Sequence, residues 1–353
     1  MKKKSVRYLI CLLAFALILA GCQGSSSSAA PSGGDASGAA SGGGTEYDKV
    51  TLRLGMSGTE RGVDYLTGQY LADALSEASG GNIKLELYPN NILSGGSQPE
   101  AINLLTQGGA MEMGFYSAAV FANLEPKFQV CMLPFIFEDY QDVDQVMDST
   151  GNIWYTQELE KYGLVNLGNI HCGIKQWTNN KGEKRKPEDF VNFKMRIPGG
   201  EVSQMTWQAF GADPVTMSWS EVYTALQQGT IDGHENGYQT FWSNNIHEVQ
   251  KYITEANYIY DGYWLVFNQE DWNQLSAQTQ DLIREKAADA IAYGRKYLED
   301  EEAKIKEDLV ARGNVITELT PEERQAFVDA TQPVRDYFKE QFGADAFEAM
   351  QIE

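Results

Sequence analysis

Two stretches of this chain carry the same local plan. Residues 100–108 read Glu-Ala-Ile-Asn-Leu-Leu-Thr-Gln-Gly and are followed by Met111-Glu112, and residues 221–229 read Glu-Val-Tyr-Thr-Ala-Leu-Gln-Gln-Gly and are followed by Ile231-Asp232. Each is a short helix, a glycine able to take the left-handed conformation that closes a helix, and the start of an apolar strand. Such units are common, so the pairing leaves both duplication and coincidence open. As a duplication it predicts two halves of similar construction. Phe115-Tyr116-Ser117 and Glu235-Asn236 then occupy matching places just past a strand's carboxyl end, where open α/β sheets bind ligands.

The surrounding pattern agrees with an α/β chain. Residues 50–54 read as a strand, 63–77 as an amphipathic helix, 83–88 as a strand, and a helix opens near Pro99 and ends at Gly108. Roughly 300 folded residues exceed what one hydrophobic core usually serves, so two lobes are expected. Residues 277–311 differ: they are rich in Ala, Glu, Lys, Leu and Arg, with Leu282, Ile283, Ala287 and Ile291 at helical spacing and no proline. They predict one long helix, or two nearly continuous ones, able to brace both lobes. A short segment follows at 315–319, and Pro321 opens a further helix.

The amino terminus reads as an export signal. Lys2, Lys3, Lys4 and Arg7 precede an uncharged run from Tyr8 to Ala20, which is well short of the roughly 20 residues needed to span a hydrocarbon core. Leu19-Ala20-Gly21-Cys22 has the small residues of a lipobox, so residues 1–21 are expected to be removed and Cys22 to receive a lipid that anchors the chain outside the membrane. Residues 23–44 are almost entirely Ser, Gly and Ala, the composition of a flexible linker. Folded sequence begins near Thr45.

Charge and residue inventory exclude several classes. The formal charge is −21, and −25 once the four cations of the signal are gone. Such a chain repels phosphate backbones, which argues against nucleic acid as a partner. Cys131, Cys172, His171, His234 and His247 lack metal-ligand spacing, so no metal or cofactor is expected, and both thiols read as free and buried. No nucleophile elbow, phosphate-binding glycine loop or zinc-protease motif is present, which leaves an exported enzyme as the minority reading.

The run Phe193-Lys-Met-Arg-Ile-Pro198 alternates apolar and basic residues. A strand here puts Phe193, Met195 and Ile197 on one face and Arg196 on the other, either in solvent or aimed at a carboxylate that matches its fork of donors. From here the chain resembles the DctP-type solute receptors of TRAP (tripartite ATP-independent periplasmic) transporters. The resemblance rests on Lys194-Met-Arg-Ile-Pro198, Phe210-Gly-Ala-x-Pro214, Ser220-Glu-Val-Tyr-x-Ala-Leu-Gln227 and Asp232-Gly-x-Glu-Asn236, in that order. It extends more loosely from Tyr47 to the end, through Gly168 to Asn179, Leu133-Pro-Phe135 and Gly108 to Gly114.

The resemblance implies a two-lobed, periplasmic-binding-protein-like fold of the class II type, with a long helix bridging the lobes. Lobe I would comprise residues 45–172 and 262–301, and lobe II residues 173–261 and 302–353. It implies capture of a small organic acid and delivery to small and large membrane subunits. Arg196 would pair with the ligand carboxylate, Asn236 would hydrogen-bond the ligand with Glu235 beside it, and Lys175 stands where many members have a second arginine. Gly237 departs from the family's usual proline, which changes the following turn and leaves the ligand class open.

Aromatic candidates for the cleft are Tyr116, Trp177, Trp207, Trp219, Tyr238 and Trp242, with two or three of the six expected to touch ligand. Ser117 has the positional argument of the repeated unit, and Arg61, after the first strand, is a further candidate. Tryptophans in the pocket would favour a sugar acid such as a uronate. A dicarboxylate, another keto acid, or a sensor role with a signalling partner are the alternatives.

Overall fold

The computed structural model describes residues 47–352, so the expected signal at 1–21, Cys22 and the linker at 22–44 lie outside the described residues. Among the described residues eleven strands form two sheets. The first contains β1 (Val50–Met56), β2 (Ile83–Tyr88), β3 (Met113–Ser117), β4 (Leu164–Ile174) and a later strand, Tyr260–Asn268. The second contains β5 (Gln176–Asn179), β6 (Lys194–Ile197), β7 (Asp213–Thr216), β8 (Gly233–Asn236), β9 (Tyr252–Glu255) and, after β10 (Tyr260–Asn268) has returned to the first sheet, β11 (Val315–Glu318).

The first sheet runs in the order β2-β1-β3-β10-β4, and the second β11-β9-β5-β8-β6-β7. β1 lies parallel to β2 and β3, whereas β10 is antiparallel to β3 and β4. The chain therefore passes between sheets at Lys175, again between β9 and β10, and along the long helix. This is the mixed α/β, two-sheet architecture expected.

The helix predicted at 277–311 is one continuous element, Ala277–Ala311, capped by the Ser276 hydroxyl, which accepts from Thr279 N. Leu282, Ile283, Ala287, Ala290 and Leu298 bury against β1, β2 and the helix Val63–Ala78, while Ile305 and Leu309 bury in a separate cluster with Ile253, Phe241 and Leu226. One helix thus contributes to the cores of both sheets. Pro321 opens the helix Pro321–Phe342, where Thr320 and Glu323 form a reciprocal capping box.

Both copies of the repeated unit fold alike. Helix Gln98–Gln107, Gly108, β3 and helix Ala118–Phe121 correspond to helix Trp219–Gln228, Gly229, β8 and helix Tyr238–Ser243. Gly229 closes its helix in the left-handed region, at φ 70° and ψ 21°, whereas Gly108 has φ 72° with an extended ψ of 178°. β1, β3, β6 and β8 all end at the same cleft between the sheets. Among the described residues no helix is long and apolar enough to cross a membrane.

Candidate functional site

β6 shows how alternation builds one wall of the cleft. Met195 and Ile197 are fully buried in the aromatic core, and Arg196 lies on the opposite face, only 3 % exposed. Its Nε and Nη2 both donate to the Met217 carbonyl, at 3.0 and 2.7 Å, and the guanidinium sits 5.4 Å from the centre of the Trp219 ring. Both Nη1 hydrogens and the second Nη2 hydrogen remain, which is the edge that matches a carboxylate. Among the described residues no carboxylate lies within ion-pair distance of Arg196. Burial pushes its pKa down to about 10, while the field of Glu235 opposes the shift, so it stays cationic at neutral pH.

Lys175, the second cation of the sequence, is ion-paired in the structure. Its ammonium lies 3.2 Å from Glu235 Oε1 and 3.3 Å from Asp261 Oδ2, all three groups being buried. Burial alone would lower the Lys175 pKa, but the two carboxylates more than offset this and raise it. Glu235 and Asp261 are themselves pushed up by burial against the opposing pull of Lys175. Asp261 Oδ1 also accepts from Ala118 N at 3.1 Å, which ties β10 to the end of β3. Lys175 lines the cleft with its charge already met, and Glu235 lies behind it, outside the lining.

Ser57, Asp64, Gln98, Ser117, Cys172, Asn236, Gln239, Thr240 and Tyr263 are among the other polar residues of the lining, beside Trp219. Asn236 Oδ1 accepts from Gly237 N at 3.1 Å and faces the Cys172 thiol at 3.7 Å, so its amide NH2 is left for the cleft. The Gly237 nitrogen is a donor that proline would lack. A Cβ at Gly237 would also lie 3.1 Å from both Cys172 O and Gly173 Cα, so the departure from the family's proline goes with a close crossing of two backbones.

Asp64 was not singled out by its sequence context. It follows the first residue of the helix Val63–Ala78, is 1 % exposed, and accepts from Gly58 N at 2.8 Å and Tyr65 N at 3.0 Å. A Cβ on Gly58 would fall 2.1 Å from its carboxylate, so only glycine permits this approach. Burial raises its pKa to about 6 against these two donors. The cleft residues Asp64, Gln98, Gln239, Thr240 and Tyr263 come from helices and strands distant in sequence, and no motif flags them.

The fold places the remaining candidate residues in different surroundings. Trp177 sits opposite Glu235 across β5 and β8, with Trp207, Phe190, Phe210, Tyr258 and Phe327 around it, fully buried in the core. Strand alternation sends Tyr116 into the core against Met111 while Ser117 faces the cleft. Tyr238 is buried beneath the Lys306 ammonium, and Trp242 stacks on His247. Arg61 lies on the cleft's rim and bonds Ser243 and Asn245 across it. Of the six aromatic candidates only Trp219 lines the cleft, with its indole N–H donating to Asn244 at 3.1 Å. Cys131 and Cys172 are both free and buried.

A polar cleft between two α/β lobes, lined by a buried arginine with an unfilled edge, fits the binding site of a solute receptor. The chain belongs to the DctP family of bacterial extracellular solute-binding proteins, family 7, whose profile matches residues 54–341. It is 33 % identical over 273 residues to the C4-dicarboxylate-binding periplasmic protein DctP of Rhodobacter capsulatus, covering 76 % of this chain and 80 % of that one.

Two solved structures superpose with a TM-score of 0.82. One is a TRAP periplasmic solute-binding protein from Ralstonia eutropha H16 with bound (S)-2-acetolactate, 28 % identical, covering 85 % of this chain and 98 % of that one. The other is the sugar acid binding protein DctPAm of Advenella mimigardefordensis in complex with galactonate, 27 % identical, covering 86 % and 97 %. The family and these structures are of extracytoplasmic receptors, not enzymes.

Proposed function

We propose that this chain is the lipid-anchored receptor of a TRAP transporter and that it captures a small monocarboxylic acid bearing hydroxyl groups, a sugar acid being favoured. The observation that carries the reading is the unequal state of the two buried cations. Lys175 is neutralised by Glu235 and Asp261, whereas Arg196 offers a carboxylate-matching edge that no acid among the described residues takes. A ligand carboxylate brought out of water needs such a partner, and Asn236 adds an amide donor beside it.

The remaining lining favours hydroxyls. Asp64, Gln98, Gln239 and Thr240 accept from or donate to alcohols, and the Trp219 face suits a sugar carbon skeleton. A second carboxylate would meet Asp64 and Asp261 rather than a second free cation. The lobes of this reading are residues 45–172 with 262–301 and 173–261 with 302–353. They close on the acid, and Cys22 carries the lipid that holds the receptor near the small and large membrane subunits. The Advenella protein's galactonate and the Ralstonia protein's acetolactate, each a monocarboxylate with hydroxyl, support this class.

A C4-dicarboxylate is the second reading, favoured by the name of the Rhodobacter relative. Thermal unfolding of the full-length chain against aldonates, uronates, keto acids and four-carbon dicarboxylates separates the two. A ligand at a thousandfold excess over its dissociation constant stabilises the native state by about 4 kcal/mol, which moves the midpoint by several degrees. A shift with a hydroxylated monoacid, lost in Arg196→Ala and reduced at least tenfold in affinity in Arg196→Lys, is the expected result. A shift with succinate alone overturns the sugar-acid reading. No shift with any acid, from folded protein free of carried-over ligand, overturns the acid-receptor reading and favours a sensor for another solute.

A further inference from the structure

A second cluster of ligating groups lies away from the cleft, where the long helix passes over β4. His171 of β4, Asp144 of the helix Tyr140–Met147 and Glu299 of the helix Ala277–Ala311 each offer one atom, and these atoms lie within 4.8 Å of one another. His171 is fully buried, and its Nε2 makes no hydrogen bond among the described residues although it points at Asp144 Oδ1, 3.5 Å away, and Glu299 Oε1, 3.9 Å away. We propose that Asp144, His171 and Glu299 bind one divalent transition-metal cation through a mixed nitrogen and oxygen donor set.

The surroundings hold the imidazole as a ligand should be held. Nδ1 lies 3.3 Å from the Tyr260 hydroxyl, so an Nδ1–H donated there leaves the Nε2 lone pair facing the two carboxylates. The Tyr140 ring packs on the imidazole with centroids 4.5 Å apart and sets its plane.

Charge leaves room for a dication. Arg295 bonds Asp144 at 2.9 Å and Asp148 at 2.7 Å, so Asp144, Asp148 and Glu299 with Arg295 carry two net negative charges. Arg295 donates to Asp144 Oδ1, the same oxygen that faces His171 Nε2, and a carboxylate oxygen has a second lone pair left to ligate. The side chains of Asp144 and Glu299 are 35 % and 46 % exposed, which gives an ion a way in and open positions for water. One imidazole and two carboxylates suit Zn²⁺, Co²⁺ or Ni²⁺ better than the all-oxygen ions Ca²⁺ and Mg²⁺. Such an ion would pin the long helix to β4 and to the helix that carries Asp144.

The test is equilibrium dialysis of the untagged full-length chain, stripped with chelator, against Zn²⁺ and Co²⁺. One ion retained per chain is expected, with the visible absorption of Co²⁺ in a nitrogen and oxygen site and a raised midpoint of unfolding. His171 is buried and its replacement can unfold the chain, so the exposed Glu299 supplies the deciding variant. Glu299→Gln is expected to weaken retention at least tenfold while leaving the metal-free midpoint and the response to the acid ligand unchanged. No retention by the wild-type chain, retention unchanged in Glu299→Gln, or retention of Ca²⁺ in preference to Co²⁺ would each overturn the assignment.

Discussion

Arg61 Nη2 donates to the Ser243 carbonyl at 2.5 Å and joins the loop after β1 to the end of the helix Tyr238–Ser243 across the rim of the cleft. The same group donates to Asn245 Oδ1 at 2.9 Å, and the Arg61 carbonyl accepts from Gln239 Nε2 at 2.7 Å. These bonds join the two walls at the rim, and Gln239 and Ser243 among them also line the cleft. Each bond is worth about 1 kcal/mol net, and Arg61→Ala removes the two made by the side chain, so it is expected to speed release of bound acid about thirtyfold while capture changes little. Stopped-flow fluorescence of the cleft tryptophan Trp219 measures both rates. An unchanged release rate would show that the rim contacts do not hold the closed form.

The Lys175–Glu235–Asp261 triad is a structural charge cluster in the wall of the site. Lys175→Met leaves two buried carboxylates without their cation, and removing one partner of such a pair costs about 3–5 kcal/mol. Denaturant unfolding should show a loss of that order, with the carboxylates, already raised by burial, pushed further up once their cation is gone. A loss under 1 kcal/mol would mean that water already screens the triad.

The two tryptophans first grouped together should separate cleanly. Trp177→Ala opens a cavity among Phe190, Trp207, Phe210, Tyr258 and Phe327 and is expected to cost about 3–5 kcal/mol of stability. Its effect on acid affinity, measured well below the unfolding midpoint, should stay within about twofold. Trp219→Ala removes the ring beside Arg196 and the bond to Asn244, and should weaken affinity about tenfold at a smaller stability cost. Calorimetric titration of both variants checks the contrast.

His234 gives a pH dependence with a defined sign. Burial, reinforced by Arg196 and Lys175, holds its pKa well below 6.5 in the folded chain. The unfolded chain therefore binds a proton first as pH falls, so the stability that the neutral imidazole contributes is present above 6.5 and lost below it. The loss is about 1.4 kcal/mol per pH unit. His234→Gln lacks this term, so the stability gap between wild type and variant should narrow as pH falls from 7.5 to 5.5. A constant gap would place the ordinary histidine pKa in the folded state.

Local pattern determined much of this protein by itself. The continuous helix 277–311, the helix–glycine–strand unit and the burial of Phe193, Met195 and Ile197 opposite Arg196 all follow from periodicity, because a helix turns every 3.6 residues and a strand alternates every two. The ordered motifs from Lys194 to Asn236 named the family before any fold was known.

Which face of each strand meets the cleft was decided only by tertiary packing. Ser117 and Asn236 face it, while their neighbours Tyr116 and Glu235 point into the core, and alternation alone cannot say which set is which. Trp177 looked like a ligand stack and became the centre of an aromatic core, since a large apolar ring beside several others is stabilised most where all exclude water. Lys175 kept its charge but met two carboxylates from β8 and β10, and Asp64 reached the cleft through a glycine contact. These residues are brought together from distant parts of the chain by sheet pairing, and short-range sequence carries no record of that distance.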